Sequence, residues 1–304
     1  MADLPAAVGT ATGRGLAETV RPSTFGRRKR WTRIALGVLS HGMLIFLSFF
    51  AMLPLIWSIT TALKPKKEIM TSLSLLPKHP TLAHFSFVLR STEFPTWMRN
   101  SLMIAVGTTL LALVVGSLGG YAMSRWRFWG RTVYGNTLLI VQMFPGVMLG
   151  IPLYILLTQY HLIDTLWSLL VTYLTFALAF SIWMLKGYFD GIPREIEEAA
   201  LIDGANRLQV LWQIVLRLAG PGLVTVAVFT FLLAWNEFFF AYIFILSSDN
   251  YTLSLGLFTF ITQWTAEWGR IMAASVLTCI PALFFFFLVQ RALTRGLIAG
   301  AMKG

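Results

Sequence analysis

Apolar positions gather into six long stretches, Ile34 to Leu63, Leu102 to Ser124, Val133 to Leu157, Leu166 to Leu185, Leu218 to Leu246 and Ile271 to Gln290. Each reaches the roughly 20 residues that a helix needs to cross a bilayer core of about 30 Å. Backbone amides find no water partner in hydrocarbon, so each stretch predicts a helix. The fold class expected is therefore an all-α integral membrane protein with six transmembrane helices. Pro54, Pro145, Pro152, Pro221 and Pro281 fall inside these stretches, where a missing amide and a ring clash predict kinks.

Polar segments divide the chain. Residues 1–33 read as a tail, 34–63 as the first transmembrane helix, 64–101 as an external loop, 102–290 as a core of five further helices, and 291–304 as a second tail. A polar loop at 190–217 interrupts the core. The external loop carries Pro65, Pro77, Pro80 and Pro95 and reads as an ordered lobe rather than a spacer.

Charge sets the orientation. With the N-terminus inside, 17 of the 24 Lys and Arg residues fall on the inner segments, which predicts both termini in the cytoplasm. The net charge of +11 does not indicate nucleic acid, because the basic residues sit in short runs between apolar stretches and no nucleic-acid-binding motif accompanies them. Membrane lipid is the surrounding partner instead. Composition agrees, with 57% hydrophobic and 12% charged residues. Cys279 is the single cysteine, which excludes an intramolecular disulfide.

Candidate chemistry is sparse. His41, His79, His84 and His161 are scattered without metal-ligand spacing, so no metal site is expected. No Gly-Lys dipeptide occurs, so the chain lacks the phosphate-cradling loop of an ATPase, and no paired acids or nucleophile with its base mark an enzyme. Acidic residues crowd instead into the loop at 190–217, with Asp190, Glu195, Glu197, Glu198 and Asp203. Pro193 suits a first helical position, Glu195 and Glu197 complement a helix N-terminus, and Gly204 suits a left-handed helix end. A short helix from Pro193 to Asp203 is predicted, with Ile196, Ala199 and Ala200 forming a shallow apolar stripe and Glu198 on a neighbouring face. Either an ordinary interfacial helix or a helix inserted into a partner's groove fits this pattern.

The second acidic position of interest is Glu237, the one acid within an apolar stretch, next to Trp235 and Asn236. An intramembrane acid is a candidate for a substrate pathway, but here the position reads rather as one that bonds a neighbouring helix or a partner subunit. The aromatic run Phe238, Phe239, Phe240, Tyr242 and Phe244 could stack on sugars, but it reads rather as a lipid-facing belt.

Glu198-Ala199-Ala200, Gly204, Ile214 and Leu216 stand at the spacing E-A-A-x3-G-x9-I-x-L-P and resemble the EAA loop of ABC-importer permeases. Arg217 replaces the final proline, which puts the local bend in question. Asn100-Ser101, Tyr121-Ala-Met-Ser-Arg125, Trp235-Asn-Glu-Phe238 and the segment Gly296 to Gly304 look like the carbohydrate branch, and within it the second permease subunit of maltose-type importers. The resemblance covers Thr61 to Gly304.

It implies the type I importer permease fold and a subunit that moves a sugar, maltodextrin or a related oligosaccharide. The implied partners are a second permease subunit, two cytoplasmic ATPase subunits that hold ATP and Mg, and an extracytoplasmic sugar-binding protein. It also implies that Glu198, Ala199, Ala200, Asp203 and Gly204 couple to the ATPase, with Glu198 as polar anchor, and that Arg295 and Lys303 in the tail contact it. Asn236 and Glu237 stand as the candidate substrate pathway. A secondary transporter or channel subunit is the alternative, although a single intramembrane acid and the lack of an internal repeat speak against it.

Overall fold

The computed structural model describes residues 24–261 and 267–301, with side-chain environments for 36–261, 267–288 and 290. Two units divide at Pro54. The first holds most of helix α1 (Thr24–Ala62), which starts within the stretch read from sequence as a tail. Its side chains from Leu36 to Pro54 are almost all exposed, and they are apolar around the whole circumference. A helix apolar on every side is stable only in an apolar surround, which here means lipid or another protein. His41 bonds back to the carbonyl of Gly37 at 2.7 Å within this helix.

The second unit runs from Leu55 onward and contains α2 (Lys66–Thr71), α3 (Ala83–Ser91), α4 (Phe94–Arg125), α5 (Arg131–Met143), α6 (Gly150–Gln159) and α7 (Leu166–Asp190). These are followed by α8 (Arg194–Ile202), α9 (Arg207–Gln209), a π-helical turn at Val210–Val215, α10 (Leu216–Leu218), α11 (Gly220–Asn236), α12 (Phe239–Phe244), α13 (Leu253–Phe258) and α14 (Trp268–Ala301).

Among the described residues, four helices are long and apolar enough to cross a membrane, Leu36–Ala62, Phe94–Arg125, Leu166–Asp190 and Trp268–Leu288, and the number rises to six if each of two bent pairs counts as one span. The third stretch is one of these pairs. It breaks at Phe144-Pro145 with a 97° turn. Pro145 lacks an amide and drives the preceding residue out of the α region, and Phe144 accordingly sits at ψ 127°. The fifth stretch also differs from the sequence expectation, because α11 ends at Asn236 and extended backbone at Glu237 separates it from α12. Helix α4 starts at Phe94, so the last eight residues assigned to the external loop belong to a helix, with Pro95 in its first turn.

Helix α4 is the spine. Helices α7 and α11 pack along it, and α14 packs on α11. In lipid, apolar side chains gain little by leaving hydrocarbon, so close backbone approach through small residues does the holding. On α4, Gly116, Gly119 and Gly120 face α7, where they meet Ser181, Ile182 and the backbone at Lys186. A methyl group on Gly116 would come within 2.8 Å of the Ser181 Cβ, and one on Gly120 within 3.0 Å of the Lys186 backbone nitrogen.

Two apolar cores result among the described residues. One joins Phe94, Trp97, Ile104, Tyr173, Phe231, Trp235, Phe240 and Phe244. The lipid-belt reading of the aromatic run therefore needs correction, since Phe240 and Phe244 are buried and Phe240 stacks on Phe176 at 5.4 Å. The other core gathers Tyr121, Leu185, Phe189, Ile192, Val210, Leu211 and Val215 where α4 and α7 end.

Candidate coupling site

Helix α8 follows α7 after a two-residue turn and Pro193, which sits at the N-cap rather than inside the helix. The helix stops at Ile202, and Gly204 then adopts φ +90°, a left-handed conformation that costs glycine nothing and a β-branched residue a good deal. Glu195, Glu198, Ala199 and Ile202 lie on the exposed side, with Ile202 86% exposed. Glu198 makes no hydrogen bond or ion pair among the described residues, and Asp203 is exposed beyond it. Ala200 differs from the expected stripe, because it packs inward with Leu201 and Ala205 against the core formed by Phe189, Val210 and Leu211. The outward apolar surface is thus Ile196, Ala199 and Ile202 rather than Ile196, Ala199 and Ala200.

Opposite that surface, Glu197 points into the protein and is only 3% exposed. Sequence reasoning gave it the role of an N-terminal helix charge, but its carboxylate is engaged elsewhere. Arg125, the last residue of α4, donates from Nε to Glu197 Oε1 at 2.6 Å, and its Nη2 lies at the same distance. Tyr121 donates its hydroxyl to Glu197 Oε2 at 2.7 Å. The same guanidinium donates to the Ile192 carbonyl at 3.0 Å and to Ser124 Oγ at 3.0 Å, while Ser124 donates to Asp190 Oδ1 at 2.6 Å. Lys186 pairs with Asp190 from the preceding turn of α7. The end of α4 therefore latches the end of α7, the turn after it and α8 in one network.

Burial of a charge pair is tolerated only when the remaining donors and acceptors are also met, and here they are. The Tyr121 ring contributes packing too, edge-on to Phe189 at 6.0 Å and to Trp126 at 5.3 Å. A polar cavity of about 700 Å³ opens beside the network, lined by Arg127, Arg131, Arg194, Asp190 and Glu195. Arg125 and Tyr121 had a sequence clue: they stand four apart at the polar end of an apolar helix, so they share a face.

After α8, Asn206 and Gln209 form a reciprocal capping box, and the chain then loosens into the π-helical turn. Arg217, in the place of the usual proline, lies in α10, and the bend that the proline would serve is present nonetheless. It falls at Ala219, between segments inclined at 82°, with Pro221 in the first turn of α11.

Glu237 caps the start of α12. Its carboxylate accepts from the backbone amides of Phe240 at 2.9 Å and Ala241 at 3.3 Å, and from the hydroxyl of the buried Tyr173 on α7. These bonds favour the helix-bonding reading of this acid over a free pathway acceptor. Asn236 donates to the Leu232 carbonyl at 2.9 Å on its own helix. Asn100 and Ser101 hold the segment before α13, through bonds from Asn100 to the carbonyls of Asp249 and Tyr251 and from the Leu253 amide to Ser101. The Arg295 side chain and Lys303 lie outside the described residues. Among the described residues no group of three or more His, Cys, Asp or Glu comes together as a metal centre would require.

Comparison with known proteins bears on the same segments. Residues 112–299 match the model of the family described as "Binding-protein-dependent transport system inner membrane component". The inner membrane ABC transporter permease protein YcjP of Escherichia coli is 40% identical, over 86% of this chain and 95% of that protein. The trehalose/maltose transport system permease protein MalG of Thermococcus litoralis is 34% identical over 86% of this chain and 94% of its own length. The diacetylchitobiose uptake system permease protein DasC of Streptomyces coelicolor is 32% identical over 94% of this chain and all of its own. Among solved structures, a bacterial ABC transporter involved in alginate import superposes with a TM-score of 0.76 at 24% identity, covering 86% of this chain and 97% of that one, which establishes the fold. A family of binding-protein-dependent transporters leaves the secondary-transporter alternative without support, and the chain belongs to the family of inner membrane components of binding-protein-dependent transport systems.

Proposed function

We propose that this chain is a permease subunit of an ATP-driven importer that carries a sugar, an oligosaccharide of the maltodextrin kind or a relative of it, across the cytoplasmic membrane of a prokaryote. The observation that carries the reading is α8, a short helix bolted to the bundle on one side and bare on the other, where Glu198, Ala199 and Ile202 stand exposed. Such a face buries apolar surface only against a partner. Relatives named for trehalose/maltose, diacetylchitobiose and arabinooligosaccharides supply the substrate class.

In this reading Glu198 is the polar anchor on a separate ATPase that holds ATP and Mg, with Ala199 and Ile202 in its groove. Asp203 and Gly204 shape the turn that follows. The C-terminal segment with Arg295 and Lys303 reaches the same ATPase, and both termini are cytoplasmic, an orientation supported by the 17 of 24 basic residues it puts on the inner segments. A second permease, a second copy of the ATPase and an extracytoplasmic sugar-binding protein complete the assembly.

The test is reconstitution of the complex in proteoliposomes with a panel of oligosaccharides and amino acids. Sugar-loaded binding protein should raise ATP hydrolysis and drive uptake, and stimulation by amino acids alone would overturn the substrate class. Ala199→Asp places an unpaired charge in the docking face without touching the protein's own core. Loss of ATPase copurification is the expected result, and normal copurification would remove α8 from the interface.

A further inference from the structure

We propose that the Arg125–Glu197 pair, sealed by Tyr121, is the link through which α8 passes its displacement to the bundle, and that α4 receives it ahead of the covalently following α11. The proposal rests on the reading of α8 as the ATPase-docking helix. Its basis is the contrast between this side-chain route to α4 and the covalent route from α8 to α11.

The covalent route toward α11 is jointed. It passes the left-handed Gly204, the π-helical turn at Val210–Val215 and the 82° bend at Ala219 before α11 begins. Each joint can absorb a shift by a small dihedral change, since left-handed glycine, π-turns and helix breaks are the places where backbone gives.

The side-chain route has no such joint. Glu197 is held by the guanidinium at 2.6 Å and the Tyr121 hydroxyl at 2.7 Å, and both partners belong to one continuous helix of 32 residues. The apolar contacts of α8, Ala200 and Leu201 against the core around Phe189, are non-directional and permit sliding. Charge-assisted hydrogen bonds to a planar guanidinium fix both distance and angle, so they hold register where the alanine surface does not. The same guanidinium binds the Ile192 carbonyl ahead of α8, and Ser124 binds Asp190 at the end of α7. Helix α4 in turn carries the close small-residue contact with α7, so a shift delivered to Arg125 reaches the two most tightly packed helices together.

Glu197→Gln keeps the shape and removes the charge, and an insertion of two glycines between Gly204 and Ala205 lengthens the covalent route and spares the pair. Both are compared with wild type in reconstituted complexes by the number of ATP molecules hydrolysed per sugar imported. Glu197→Gln should copurify with the ATPase and second permease and raise that ratio at least fivefold, whereas the glycine insertion should change it less than twofold. A wild-type ratio in Glu197→Gln, or a larger rise in the insertion than in Glu197→Gln, overturns the proposal. If Glu197→Gln does not assemble, Tyr121→Phe, which deletes one hydroxyl, carries the comparison, with at least a twofold rise expected and a wild-type ratio counting against the link. Copurification of Ala199→Asp in the same preparation separates the two failures: its persistence defeats the docking reading, and its loss alongside normal coupling in Glu197→Gln defeats only the link.

Discussion

Glu237 and Glu197 are both acids set in apolar surroundings, and each is held by a tyrosine hydroxyl from another helix. A carboxylate has acceptor sites for several donors, so removing it strands more than one group. Glu237→Ala would leave the buried Tyr173 hydroxyl and the α12 amides without their acceptor, at about 1–3 kcal/mol for each group that water cannot reach. A clear fall in melting temperature in detergent is expected, with Glu237→Gln falling less because one acceptor remains. An unchanged melting temperature with altered sugar uptake would return this acid to the substrate pathway. Glu68, outside the spans, is held by backbone amides instead. The Lys78 amide first, with that of His79 and the charge of Lys64, holds its carboxyl below the ordinary value against the opposing effect of burial. The bonds thus stabilise the lobe of α2 and α3 fully above the ordinary carboxylate range near pH ~4.3, and the contribution is lost as pH falls through the lowered value. Amide exchange of residues 66–91, corrected for intrinsic rates, should rise toward pH 3–4, and Glu68→Gln should flatten that dependence.

Among the elements, α4 and α7 show how a membrane bundle is held when burial in lipid brings little. Gly116 and Gly120 stand four apart on α4, and the space beside them is filled by α7 backbone and short side chains. Gly120→Leu would push against the Lys186 nitrogen and the Ile182 carbonyl, which cannot rotate aside as a side chain can. Overpacking of this kind costs about 1–3 kcal/mol where the site yields and more where backbone must move. Reduced yield of folded protein and a lower melting temperature are expected, whereas Gly37→Leu, at a position with nothing within 4 Å, should leave both as they were. A wild-type melting temperature in Gly120→Leu would show that α4 and α7 can separate without loss. The same scale explains α8. Glu197 is held inward by its hydrogen bonds, with Ala200 and Leu201 packed beside it, so the outward side follows from the helical repeat.

At the scale of the whole molecule, six crossings, with each bent pair counted as one span, would place residue 248 and the C-terminus on opposite sides of the membrane. Reporter fusions after Ser248 and Gly304 should therefore give opposite activities, and equal activities would remove the six-span topology. The apolar stretches, the left-handed Gly204 and the helix after Pro193 were all legible in the sequence, because hydrophobic length, glycine and proline act locally and leave their mark in the order of residues. The ends of helices were less so: Pro145 predicted a kink rather than a 97° break, and Glu237 was marked as an acid in an apolar run without showing that α11 ends beside it. Which acid of the loop faces inward was decided only by tertiary structure. Glu197 and Glu198 are adjacent and chemically alike, and the choice between them depends on where Arg125, 72 residues away, comes to rest against α8. Sequence determined that a polar helix lies between two apolar ones; folding decided that Glu197 ties it to α4 and left Glu198 exposed, because a helix turns successive side chains by about 100° and only one of the two can reach the guanidinium.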